Sequence, residues 1–296
     1  MGITHKHIRM PTQHIIDSVR RNLLFLGARQ MGVEQSTVHF EGTGFAVDGQ
    51  FAVTSLSVFK AMEKAAGQYF AGVYQKTEAG VDVYQTADLM LIDTDTVRGL
   101  AVFGFEQRQE VGFSMDDLET NEDCLTAGVE AFTLSFPATR CRNGVDEADM
   151  KRVAAGQPKV FTHLCSIGAA QKDKNGVPEL LEIDGAPWLA DGGAPLIDVD
   201  SCKILGVVVG ALDVFVQGSQ PVCLSHRIPV ACPSNILYDV LDEVSIVVPG
   251  PSSDPYDDED AETASLAKDV AVLHDQIDEE DEYEYGYGSG YGKMKK

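Results

Sequence analysis

Ala190-Asp191-Gly192-Gly193-Ala194-Pro195-Leu196, followed by Ile204-Leu205-Gly206-Val207-Val208-Val209-Gly210, is the stretch on which the fold turns. Asp-Gly-Gly is strong turn chemistry, and Pro195 and the apolar run after it read as strands emerging from that turn. A second stretch, Gly42-Thr43-Gly44-Phe45-Ala46-Val47-Asp48-Gly49-Gln50-Phe51-Ala52-Val53-Thr54-Ser55-Leu56-Ser57-Val58-Phe59, reads as strand, tight turn at Asp48-Gly49, and second strand.

Together the two stretches resemble the picornavirus-type 3C-like cysteine proteases of the chymotrypsin fold. There a Gly-Asp-Cys-Gly-Ala/Gly-Pro-Leu turn precedes Ile-Leu-Gly-Ile-His-Val-Ala-Gly, and an earlier strand ends in Leu-Pro-Arg-His-Ala-Phe. The resemblance puts Gly192 in the place of the nucleophile and Ser57 in that of the general base. Asp88, in Ala87-Asp88-Leu89-Met90-Leu91-Ile92-Asp93, resembles the acid that orients the base. Val208 stands where the family's substrate-pocket histidine receives a glutamine side chain. What the resemblance implies is an all-β fold of two antiparallel six-stranded barrels, with short N- and C-terminal helices and without the usual catalysis. A glycine at position 192 keeps the sharp turn but has no reactive atom, and a serine hydroxyl cannot take up a proton near neutral pH as an imidazole can. The competing reading is an unrelated β-rich protein whose turns coincide with these, in which Asp88 is a strand-end turn residue.

Strand candidates in the first half are 36–40, 44–47, 51–54, 69–75, 81–86 and 89–93. In the second half they are 129–135, 159–166, 179–183, 196–199, 204–211 and 222–225, and a charged linker near 107–123 divides the two sets. An amphipathic helix is expected over 12–23, with Ile15, Ile16, Val19 and Leu23 on one face, and a terminal helix over 235–244 after Pro233-Ser234. These readings set a folded body at 1–250, its first barrel at about 30–106 and its second at about 124–232. The punctuation Val248-Pro249-Gly250-Pro251 ends it.

Residues 251–296 carry 14 Asp/Glu and 4 Lys/Arg, with few aliphatic side chains, and are expected to be a disordered acidic tail. Its tyrosines Tyr283, Tyr285, Tyr287 and Tyr291 resemble the attachment tyrosines of genome-linked viral proteins, although those proteins are basic. An acidic tail for solubility or for docking a basic partner is the plainer reading.

The whole chain of 296 residues has a formal net charge of −23, and both the tail and residues 1–250 are acidic. Such a field repels phosphates, which argues against nucleic acid as a partner. The small basic groups Arg20-Arg21 and Arg140-Cys141-Arg142 read as solvated pairs. No apolar run approaches the length of a membrane span, and no signal peptide is legible, so no membrane association is expected. Met1-Gly2 has Lys6 where a myristoylation signal needs Ser or Thr. Six cysteines without Cys-x-x-Cys spacing suggest reduced thiols, with neither a disulfide scaffold nor a metal site, and no cofactor is expected. His39 and His163 read as structural histidines. Cys165 and Cys202 fall near the second barrel's core without a partner histidine.

The function expected is that of a catalytically inactive viral 3C-like protease homologue, a structural, capsid-associated or protein-interaction module. Its partners would be viral capsid or replication proteins, and its location the host cell cytoplasm or the virion. The alternatives are an active cysteine or serine endopeptidase with a relocated nucleophile, and a precursor of a genome-linked protein through the tyrosine tail.

Overall fold

The structure is a computed structural model that describes residues 10–30, 37–65, 67–76, 82–136, 158–185, 192–216 and 222–247. The sequence-predicted tail and its tyrosines, Asp191 and Arg140-Cys141-Arg142 lie outside the described residues. Twelve strands form two closed antiparallel barrels. The first contains β1 (Leu23–Gln30), β2 (Thr37–Val47), β3 (Phe51–Ser55), β4 (Gln68–Lys76), β5 (Asp82–Asp95) and β6 (Leu100–Phe105), in the order β1-β2-β3-β6-β5-β4. The second contains β7 (Glu130–Ser135), β8 (Phe161–Lys172), β9 (Pro178–Gly185), β10 (Pro195–Asp198), β11 (Ile204–Val216) and β12 (Val222–Pro233), in the order β10-β11-β12-β9-β8-β7. Helices α1 (Gln13–Arg21), α2 (Leu56–Lys64) and α3 (Ser234–Val247) complete the described regular elements, with short 3-10 turns in the linker. This is the expected double barrel.

The expected count of six strands per barrel holds, but the first barrel reaches it differently. Segments 36–40 and 44–47 are one strand, β2, and 81–86 and 89–93 are one strand, β5. In their place stand two strands missing from the reading, β1 and β6, so the first barrel begins at Leu23 rather than near residue 30. Leu23, Leu24, Phe25 and Leu26 are all buried. A continuous apolar run of this kind belongs to a strand covered on both faces, which alternation does not reveal. Helix α2 was also missed, because Ser55-Leu56-Ser57-Val58 continues the apolar pattern of β3. Ser55 caps it, its Oγ accepting from Val58 N–H at 3.4 Å. Val58, Phe59 and Met62 then face inward, at the spacing of one helix face.

The two barrels meet along a buried seam. Thr43 and Thr54 are fully buried, and Thr54 Oγ1 donates to the Thr43 carbonyl at 2.6 Å. Thr43 Oγ1 accepts from Phe136 N–H at 2.9 Å, so a residue just beyond β7 is tied to β2. The Phe136 ring packs edge-on against Phe25 and Tyr84, with centroids 6.0 and 5.5 Å away. Gly193 closes the seam from the second barrel. Its φ is +84°, and a Cβ there would lie 2.0 Å from the Thr43 carbonyl oxygen and 2.2 Å from Thr54 Oγ1. Gly128, with φ +92°, has nothing within 4 Å of such a Cβ. Gly128→Ala should therefore lower stability through backbone strain alone, by about 1 kcal/mol, whereas Gly193→Ala adds a backbone clash and should lower it by about 3 kcal/mol or more. Urea midpoints of the two variants check this; equal midpoints would contradict the seam.

Candidate functional site

The cleft lies where the turn before β10 meets the start of α2. A Cβ at Gly192 would stand 3.1 Å from Ser55 Oγ, 3.3 Å from Ser57 Oγ and 3.8 Å from Val58 Cγ2. The structure thus brings Ser57 and Gly192 together from opposite barrels. Ser55 is fully buried, Ser57 is exposed, and their hydroxyls are 2.9 Å apart. Two glycines permit this approach. A Cβ at Gly42 would run into Val58 Cγ2 at 2.5 Å, so α2 settles on β2 only because position 42 has no side chain. Gly193 allows the turn to reach β2, as described above.

The segment behind the turn is held by β11. Gly193 N–H donates to the Val208 carbonyl at 2.7 Å, and Val208 N–H donates to the Ala194 carbonyl at 2.9 Å. The Val208 side chain, however, is buried in the second barrel's core with Leu196, Leu205 and Ala231. Val208 therefore anchors the turn through its backbone and does not line a substrate pocket with its side chain. A register shift between Val208 and Gly210, where β11 pairs with β12, breaks the strict alternation of the strand. Val209, half-buried, is the residue that faces the first barrel: a Cβ at Gly99 would meet Val209 Cβ at 3.3 Å.

Asp88 does not join this cleft. It pairs with Phe70 in the β4–β5 ladder, and its neighbour Leu89 pairs with Phe105 at the far end of β6. The cleft end of the same sheet is marked by Asp95 opposite Leu100 and by Leu100 opposite Ser55. Seven strand positions separate Asp88 from Asp95, roughly 20 Å along β5. The residue next to the start of α2 is instead Gly99, whose carbonyl accepts from Leu56 N–H at 2.7 Å. Gly99, Ser55 and Val209 are the site residues that the sequence reading missed. The run Leu100-Ala101-Val102-Phe103, fully apolar after a Gly turn, was the available signal for β6 and thus for Gly99.

The chemistry that these side chains can perform is limited. A serine hydroxyl at position 57 can donate and accept hydrogen bonds but cannot act as a base near neutrality. His14 lies on α1 and His163 on β8, neither of which frames the cleft. Of the described thiols, Cys232 is almost wholly buried, and burial pushes it up to about 12. Burial also raises the half-buried Cys124, with Glu119 and Asp123 adding to the effect, and Cys202, with Asp198 adding. An attacking thiol needs the opposite shift. Among the described residues no three His, Cys, Asp or Glu side chains gather as metal ligands, and no helix is long and apolar enough to cross a membrane.

No protein-family model matches the sequence, and no curated protein matches it. Solved structures do match in fold. The chain is similar to the HtrA-type protease AlgW with decapeptide, at a TM-score of 0.51 and 12% identity over 78% of this chain, and it spans 66% of that chain. It is also similar to the apo MamO protease domain from Magnetospirillum magneticum, at a TM-score of 0.50 and 15% identity, covering 76% of this chain and 98% of that one. The fold is that of the chymotrypsin-like proteases.

Two buried acids, the Cys232 thiol and the Tyr84 phenol, are both raised to about 12 by burial. Each is held neutral in the folded chain, so its contribution is intact below its ordinary value and is lost as the pH climbs toward the raised one. Stability should therefore fall between about pH 9 and pH 12, and Cys232→Ala should flatten part of that fall. Urea midpoints across this range measure it; a midpoint indifferent to pH would show that the two groups ionise freely.

Proposed function

We propose that this chain is a catalytically inactive relative of the chymotrypsin-fold proteases that serves as a protein-interaction module. One observation carries the reading: the two positions that face each other across the cleft hold Ser57 and Gly192, so position 57 carries no base and position 192 no reactive atom. The raised thiols of Cys124, Cys202 and Cys232 weigh against a relocated cysteine. The motif resemblance of Gly192-Gly193-Ala194-Pro195-Leu196 supports placing it among viral 3C-like homologues, with capsid or replication proteins as partners in the host cytoplasm or virion.

The strand edge beside the cleft supports one class of partner. β11 pairs with β10 only as far as Val207, while its pairing with β12 runs on to Val216. Among the described residues, Val209, Gly210 and Ala211 have no strand partner on the β10 side, and a Cβ at Gly210 would meet nothing within 4 Å. An edge without a strand partner among the described residues suits an extended segment of another protein, bound through its backbone and left uncut.

Incubating the full chain with a peptide library, a fluorophosphonate and an iodoacetamide probe tests the reading. The expected result is no cleavage and no site-selective labelling, since losing nucleophile and base together removes the covalent route. Sequence-specific cleavage that disappears on changing a single Ser or Cys would overturn it.

A further inference from the structure

We propose that residues 90–95 of β5 form a second docking edge, which takes up an extended segment of another protein, carrying Lys or Arg beside apolar residues, as an added strand. This edge belongs to the first barrel and is independent of what the cleft does.

β5 changes partners halfway along. Its residues from Asp82 to Asp88 pair with β4, and those from Leu89 to Asp95 pair with β6. Among the described residues, 90–95 therefore have no strand on the β4 side, an edge of roughly 20 Å. The pairing with β6 is irregular between Leu91 and Asp93, where Ile92 is passed over, and the adjacent Met90 and Leu91 are both exposed, by 60% and 37%. Strict alternation would turn one of them inward. Met90 stands opposite Gly104 and so has no cross-strand side chain to cover it. Ile92 lies over that glycine instead, its Cδ1 3.0 Å from where a Cβ would be. A bare edge with exposed apolar side chains is a template for an incoming strand.

The charges around this edge select what that strand carries. Asp88 and Asp93 flank Met90 and Leu91 in the chain, and neither forms an ion pair among the described residues. Asp93 Oδ1 accepts from Thr94 N–H at 2.8 Å, which leaves its other oxygen to a partner. The cations on the neighbouring elements are engaged: Arg98 pairs with Asp95 at 2.9 Å, and Arg29 sits 5.5 Å over the ring of Phe70, the residue opposite Asp88. β6 carries no charged side chain, and Asp239 on α3 adds a further negative charge acting on Arg98. A Lys or Arg two positions from an apolar residue on the added strand would meet Asp88 or Asp93 while the apolar residue covers Met90. A second copy of this chain is the poorer occupant, since it would set the same acids against each other in a chain of net charge −23.

The test is fluorescence anisotropy of a labelled peptide of alternating Lys and Val added to the full chain, with amide hydrogen exchange of the complex. The peptide should bind, slow exchange at 90–95, and lose affinity about threefold or more in M90S and in D93N, while a peptide of alternating Glu and Val should not bind. Equal affinities for the unmodified chain, M90S and D93N would overturn the assignment. So would protection confined to β11, which would place the peptide at the cleft. A chain that sediments as a dimer and becomes a monomer as M90S would overturn it as well, because a second copy would then fill the edge.

Discussion

The arrangement of the whole cleft depends on a clearance of nearly zero between Gly193 and the Thr43 carbonyl. A glycine with positive φ lets the turn before β10 press its backbone onto β2, and this contact fixes where the second barrel sits on the first. Thr43 serves two partners at once: its carbonyl accepts from Thr54 Oγ1, and its hydroxyl bonds Phe136. Phe136 in turn fills the aromatic cluster with Phe25 and Tyr84. Since the hydroxyls of Thr43 and Thr54 and the Phe136 N–H are buried and paired, loss of any one leaves its partner unsatisfied. The juxtaposition of Ser57 with Gly192 is a consequence of this seam, because neighbouring residues on each side form it.

The shape of the cleft does not depend on which side chains occupy positions 57 and 192. The residues that hold the cleft in shape, Gly42, Thr43, Thr54, Phe136 and Gly193, bond and pack regardless of what occupies 57 and 192. Ser57 makes its own local bond to the capping Ser55, so its hydroxyl is internally satisfied. Neither serine at 55 and 57 nor glycine at 99 and 192 introduces a charge that the buried surroundings would have to solvate.

The parts of this architecture written in turn chemistry were legible in the sequence. Gly192-Gly193 and Asp48-Gly49 announced their turns, and the resemblance to the 3C-like proteases singled out Ser57 and Gly192. What escaped reading has four physical causes. Leu23–Leu26 and Leu100–Phe103 are buried on both faces, so they lack the alternation that marks a half-exposed strand. Helix α2 begins inside an apolar run whose only helix signal is the single capping Ser55. Val208 and Val209 exchange roles because the irregularity between Val208 and Gly210 resets the alternation, and one residue of slip turns a side chain from one face to the other. Asp88 was chosen for its Asp-Leu pattern, but the barrel's register places it in the middle of β5, away from the strand end that meets the cleft.

The most direct measurement of the claim that positions 57 and 192 face each other across the seam is a cross-link. A Cβ at 192 would lie 3.3 Å from Ser57 Oγ, close to the separation of about 3 Å that a disulfide sets between the Cβ of one cysteine and the Sγ of the other. The S57C/G192C chain, treated with glutathione disulfide in its folded state, should lose both introduced thiols and yield, on digestion and mass spectrometry, one linked pair of peptides containing positions 57 and 192. Both introduced thiols remaining free in a folded S57C/G192C chain would contradict the account.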